Sequence, residues 1–199
     1  MKRFLFKIIY FFGDKLNECF SFDSIRRMET IKKKFKRIGE NCTFKKDCFF
    51  LGENFISIGN SFHAGNLLRI EAVEKRGNQT FSPSIEIGDS VSIEDFCHIG
   101  CIEKINIGSG TMIASRVYIS DHSHGNISSE DLKIPPAQRP LFSKPVYIGK
   151  NVWIGEGSCI LPGVTLGDNV IVGANAVVTH SFPNNCVIAG VPAQIIKKI

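Results

Sequence analysis

The chain has 199 residues, carries 24 Lys and Arg against 19 Asp and Glu for a formal charge of +5, and is 43% apolar. That length suits one globular domain with at most a small appendage, and the longest apolar run, Ile8 to Phe12, falls far short of the roughly 20 residues that cross a bilayer. A modest positive balance gives no extended basic face for nucleic acid but permits contact with phosphate-bearing ligands. Seven cysteines, an odd number without a C-x-x-C pair, fit neither a disulfide framework nor a zinc site and point to a reducing, cytoplasmic compartment.

Residues 1–37 form the first predicted segment, helical and basic. Ile25, Met28, Ile31, Phe35 and Ile38 make a helical stripe, with Arg26, Arg27, Lys32, Lys33, Lys34, Lys36 and Arg37 on the other faces. Two uses suit such a helix: capping the open end of a repeat domain, or peripheral contact with an anionic membrane surface. Lys2 and Arg3 precede apolar residues, but Lys7 interrupts them and no small-residue cleavage site comes after, so the start does not read as a signal peptide.

From residue 38 a period of six takes over. Aliphatic residues recur at Ile58, Ala64, Ile70, then Ile87, Ile93, Ile99, then Ile107, Ile113, Ile119, and finally at Ile148, Ile154, Ile160, Leu166, Val172 and Val178. Glycine often stands directly after the aliphatic, and a small or β-branched residue four places after it, as at Val91, Cys97, Thr111 and Ser158. A helix cannot keep one face apolar on that period, whereas short strands joined by turns can. The reading is an all-β solenoid over 38–188 with three hexapeptides per coil, an inward aliphatic, and a glycine that permits a sharp turn. Ile38, Phe44 and Phe50 supply an earlier coil. Cys42, Cys48 and Cys97 fall in the small interior slot, where a thiol serves as a compact hydrophobe. Every break in register falls between the third hexapeptide of one coil and the first of the next, so the two long insertions, 71–86 and 125–147, leave the prism at one corner. Such same-side loops are where a solenoid carries its function. Residues 189–199 form a short C-terminal tail.

Ile119-Ser-Asp-His-Ser-His-Gly125 stands at the mouth of the longer insertion. Two histidines beside an aspartate suit general base catalysis near neutral pH, and equally suit local hydrogen bonding in a polar loop. His63, His98 and His122 fall in three different columns, so a preformed three-histidine metal site within one subunit is not expected. Trp153 precedes the inward Ile154 and should point outward, as a ligand surface or a subunit contact.

Val-Tyr-Ile-Gly-Lys-Asn-Val-Trp-Ile-Gly (146–155), Ile-Leu-Pro-Gly-Val-Thr-Leu-Gly-Asp (160–168), Val-Ile-Val-Gly-Ala-Asn-Ala-Val-Val-Thr (170–179) and Ala-Gly-Val-Pro-Ala (189–193) resemble the hexapeptide-repeat acetyltransferases, which include galactoside and maltose acetyltransferases. The Asp-His-Ser-His-Gly sequence and the Pro-Pro-Ala-Gln-Arg-Pro-Leu loop (135–141) look closer to the branch that O-acetylates capsular and lipopolysaccharide sugars. The resemblance runs from about Ile56 to the C-terminus. It implies a left-handed parallel β-helix, a homotrimer with active sites between subunits, and acetyl-CoA as co-substrate without a metal. Carried over by position, it implies His122 as catalytic base, His124 and Asp121 at the acceptor, and Trp153 beside the thioester. Glu156 would offer a backbone donor, Ala174 would touch the pantetheine arm, and Thr179, His180 and Lys197 would lie near the CoA phosphates. The sequence departs from the family where His180 replaces a frequent Lys and where Gln194 replaces a common basic residue. The expected activity is transfer of acetyl to a hydroxyl of a sugar or surface-polysaccharide unit. Alternatives are acetylation of a small foreign molecule, a trimeric metal-dependent hydratase on the same solenoid, or a non-catalytic binding solenoid.

Overall fold

The computed structural model describes residues 30, 32–126 and 128–199. The chain divides into a unit over 1–34 and one over 35–199. Most of the predicted basic helix lies outside the described residues. Thr30 and Lys32 are helical, but the stripe does not continue to Ile38, because Arg37–Ile38 is already a strand of the solenoid.

The larger unit is built from three six- to eight-stranded sheets whose strands succeed one another around each coil. The first face carries the strands ending at Ile38, Ile58, Ile87, Ile107, Ile148 and Leu166. The second carries those holding Phe44, Ala64, Ile93, Ile113, Ile154 and Val172, and the third those holding Phe50, Ile70, Ile99, Ile119, Ile160 and Val178. Pairing between successive coils is parallel, and each hexapeptide aliphatic lies against its equivalent, as in Ile58 on Ile87 and Ile154 on Val172. None of the fifteen predicted inward aliphatics is more than 3% exposed. At about 25 cal/mol per Å² this apolar column supplies the main driving force of folding. Phe35, Phe44, Phe50 and Phe62 form a chain of ring contacts at the first coils, with centroids 5.1–5.8 Å apart.

Glycine serves a different purpose from the one the period suggests. The left-handed turn residue stands three places after the aliphatic, at Asn41, Asp47, Ser61, Leu67, Ser90, Phe96, Gly110, Arg116, Asn151, Gly157, Gly163, Asn169 and Asn175. The glycine directly after the aliphatic is there because coils approach too closely for a side chain. A Cβ on Gly108 would lie 2.5 Å from the backbone of Gly149, and one on Gly149 would lie 2.6 Å from that of Gly167.

The C-terminal tail is also more ordered than a tail. Cys186–Gly190 joins the second face in parallel, and Ala193–Lys198 folds back on it antiparallel, ending the sheet. Both long insertions leave at the corner between the third and first faces. One holds a small hairpin, Lys75–Arg76 with Gln79–Thr80. The other starts and ends as an antiparallel pair, His122–His124 with Leu141–Ser143.

Candidate active site

Strict alternation would aim Asp121 and His122 at opposite sides, and the first half of that expectation holds. Asp121 continues the inward set two places after Ile119 and is fully buried. The chain then bends, and the His122 ring folds back so that Nδ1 lies 2.9 Å from Asp121 Oδ1. Asp121 also accepts the backbone N–H groups of Ile102, Glu103 and Lys104 at 2.8–3.1 Å and the Cys101 thiol at 3.2 Å. Burial pushes its carboxyl upward, but the hydrogen bonds from His122, Glu103, Ile102 and Cys101 outweigh that and hold it below the ordinary value. It is therefore a carboxylate anchored beneath the imidazole. The expected acceptor contact by Asp121 is corrected: a buried carboxylate cannot meet a sugar. Cys101, given no role from sequence, is a donor in this network, and burial together with Asp121 pushes its thiol far up.

A carboxylate at Nδ1 makes that nitrogen the protonated one and leaves Nε2 with a lone pair. The ring needs room to adopt this pose, and Gly100 provides it. On the third face Gly100 lies between Glu71 and Ser120, and a Cβ there would stand 3.3 Å from His122 Cε1 and 3.6 Å from His98 Nε2. His98 and His122, which fall in different columns of the repeat, thus meet over one glycine. His98 Nε2 bonds Glu71 Oε2 at 2.9 Å, and Arg69 holds the same carboxylate at 2.6–2.7 Å. Burial lowers the His98 pKa against the opposing pull of Glu71, so the contact is a hydrogen bond from a neutral imidazole. Burial raises the Glu71 carboxyl, but Arg69 and His98 more than offset it and leave it low. Register could have revealed Glu71, since it comes after Ile70 as Gly100 comes after Ile99.

His124 is exposed, and its Nδ1 lies 3.0 Å from Arg76 Nη1 of the other insertion. Arginine can only donate, so Nδ1 accepts and the neutral ring carries its proton on Nε2. Arg76 also donates to Ala137 O, and Gln79 exchanges two hydrogen bonds with the backbone of Leu141. The two insertions are thereby tied together. Arg76 and Gln79 carry no signal in the hexapeptide pattern, and nothing in the sequence singles them out.

The remaining predicted residues lie elsewhere on the chain. Trp153 is 49% exposed on the second face, and Met112, also exposed, is its neighbour on the coil before. Ile171, Val187 and Lys197 succeed Trp153 on consecutive strands of that face. Glu156 and Ala174 share the next corner: Asn175 N–H donates to Glu156 O, Gly155 packs against the Ala174 backbone, and the Glu156 carboxylate pairs with Arg116. Thr179 and His180 lie past the third face, where the His180 ring contacts Phe182 at 4.5 Å between centroids. One chain thus sets Glu156 and Ala174 at the corner that follows Trp153 on the second face, whereas His122 stands at the corner between the third and first faces, opposite that face. Among the described residues no group of three His, Cys, Asp or Glu side chains is placed to hold a metal ion.

Comparison with known proteins agrees with this architecture. The family model for bacterial transferase hexapeptide (six repeats) matches residues 145–180. WbbJ of Escherichia coli (strain K12), assigned as a lipopolysaccharide biosynthesis O-acetyl transferase, is 45% identical over 155 residues, 76% of each chain. The galactoside O-acetyltransferase of the same strain is 32% identical over 174 residues, 87% of this chain and 69% of that one. A solved galactoside acetyltransferase in complex with coenzyme A is 31% identical with a TM-score of 0.56, covering 87% of this chain and 70% of that one. The AntD N-acyltransferase of Bacillus cereus, 24% identical with a TM-score of 0.69 over 85% of this chain and 88% of that one, shares the fold. The chain belongs to the hexapeptide-repeat acetyltransferases. It is an acyltransferase enzyme.

Proposed function

We propose that the protein is an acetyl-CoA-dependent O-acetyltransferase acting on a hydroxyl of a sugar or surface-polysaccharide unit, in the cytoplasm, as a homotrimer of left-handed β-helices. The observation that carries the chemistry is the 2.9 Å contact between buried Asp121 and His122 Nδ1. It fixes the tautomer whose Nε2 can accept a proton, and it favours the imidazolium that forms when it does. In the reaction, Nε2 takes the acceptor hydroxyl proton as that oxygen bonds to the thioester carbonyl carbon. The carbon–sulfur bond then breaks, and the imidazolium returns the proton to the departing thiolate. The Glu156 backbone N–H is assigned to the carbonyl oxygen as charge builds on it.

The donor surface fits a ligand with an apolar arm and phosphates. Trp153, Ile171 and Val187 make an outward apolar row, and Lys197 continues it. Thr179 and His180 are assigned to the phosphate end and Ala174 to the arm. The solved relative holding coenzyme A supports this donor, and the names of the sugar acetyltransferase relatives support the acceptor class. Because one chain separates His122 from Trp153, the complete site joins the corner of one subunit to the second face of another.

His124 is a second candidate for the base because it is more exposed than His122, though its bond from Arg76 leaves the wrong nitrogen protonated. Labelled acetyl-CoA with a glycan panel, run on wild type, His122→Ala and His124→Ala, separates the two. The His122 assignment requires turnover to collapse in the first variant, with the second mainly raising the acceptor KM. The reverse pattern transfers the role to His124.

A further inference from the structure

Between the two insertions lies an open cleft of about 530 Å³, floored by residues 76–79 on one side and 137–140 on the other. Its polar lining is Arg76, Asn78, Gln79, Gln138 and Arg139, so it holds two guanidinium groups and three amides without a carboxylate. The acidic groups of the same loop are engaged away from it: Asp131 accepts the Asn126 N–H, and Glu130 accepts the Ser129 hydroxyl. Both arginines are braced by backbone carbonyls, Arg76 by Ala137 O at 3.1 Å and Arg139 through Nε by Ile134 O at 2.8 Å. The bracing of Arg139 uses Nε alone, which leaves its two terminal nitrogens to donate. A pair of pre-positioned guanidinium groups suits an oxyanion far better than a neutral polyol. Arg76 also reaches His124, so the cleft adjoins the edge assigned to the acceptor.

We propose that this cleft binds an anionic group on the acceptor, a carboxylate of an acidic sugar or a phosphate of an activated one, and that the enzyme selects charged over neutral glycosides. The inference rests on reading this edge as the acceptor side, and its test is a binding measurement that needs no turnover. Titration calorimetry of the full chain at low salt would compare methyl glucuronoside, glucose 1-phosphate and UDP-glucose with methyl glucoside. At least one anionic probe binds about tenfold tighter than the neutral one, as expected for one added charge-assisted contact. A carboxylate preference identifies an acidic sugar and a phosphate preference an activated one; either result supports the proposal.

Gln138→Glu places a negative charge in the cleft at an exposed position and leaves the fold intact. It removes the preference while leaving methyl glucoside binding unchanged, and Arg139→Gln does the same. Equal binding of charged and neutral probes by wild type, or undiminished preference in Gln138→Glu, overturns the proposal. Acetyl transfer to neutral glycosides alone would overturn it and leave the transferase reading standing. Tight anion binding by a protein that transfers no acetyl group would uphold the cleft and remove the transferase reading.

Discussion

Asp121 links the proposed acid–base chemistry of the site to the stability of the coil beneath it. Its native carboxyl is held below the ordinary value, so the unfolded chain binds the proton more readily. The resulting stability is complete above about pH 4, the unfolded carboxyl value, and drains as pH falls through the lower native one. Asp121→Asn should destabilise the fold at pH 7 by about 2–4 kcal/mol, since an amide presents donors to donors. It should also flatten the acid limb of urea midpoints measured from pH 6 to 3; an unchanged acid limb would mean the carboxylate is not the titrating group. Gly100→Ala tests the pose of the ring. The new methyl, 3.3 Å from its Cε1, forces His122 to yield by a few tenths of an ångström, while His98 at 3.6 Å stays in ordinary contact, and kcat should fall about tenfold to a hundredfold while acetyl-CoA binding holds, because a base must stay within hydrogen-bond reach. Residue identity alone could not disclose this arrangement. The Asp-His pair is visible in sequence, but its mutual contact depends on a bend at Asp121 that the alternation rule does not contain.

At the level of the element, the hexapeptide period discloses nearly everything. It assigns strands to faces, coils to registers and insertions to a corner, because one inward aliphatic per strand leaves a single packing solution. What it misassigns is the glycine, whose role depends on contact between coils and not on its own turn. Gly108→Ala measures that contact: with backbone atoms 2.5 Å from the added carbon, the fold should lose about 2–3 kcal/mol, read as a lower urea midpoint. The true left-handed positions make the opposite prediction. Leu67 holds a φ of 56° and is 46% exposed, so Leu67→Asn should stabilise by about 1 kcal/mol, visible as a higher Tm.

For the whole molecule, the separation of His122 from Trp153 has a direct consequence in mixtures. On the proposed shared site, His122→Ala and Trp153→Ala chains are each expected to be nearly inactive when assembled alone. Refolded together at equal ratio, about one site in four draws a sound corner from one chain and a sound second face from another, assuming random assembly. Activity restored to roughly that fraction supports a shared site, and no restoration argues for a site within one chain. None of this is legible in the period, which reports how a chain packs on itself and is silent about its neighbours.

The corner at which both insertions leave has a further meaning. Coils stack through the inward aliphatics and the corner glycines, and the insertions join that stack only at their ends, through Glu71–Ala72, Ser84–Glu86 and Val146–Tyr147. The row of Trp153, Ile171, Val187 and Lys197, proposed above to face the acetyl donor, belongs to strands that the loops do not interrupt. On the proposed assignment, acceptor choice and donor choice therefore reside on separately replaceable parts. A scaffold of this kind can be retargeted by exchanging two loops while its acetyl source stays the same, much as a lathe keeps its drive when the cutting tool is changed.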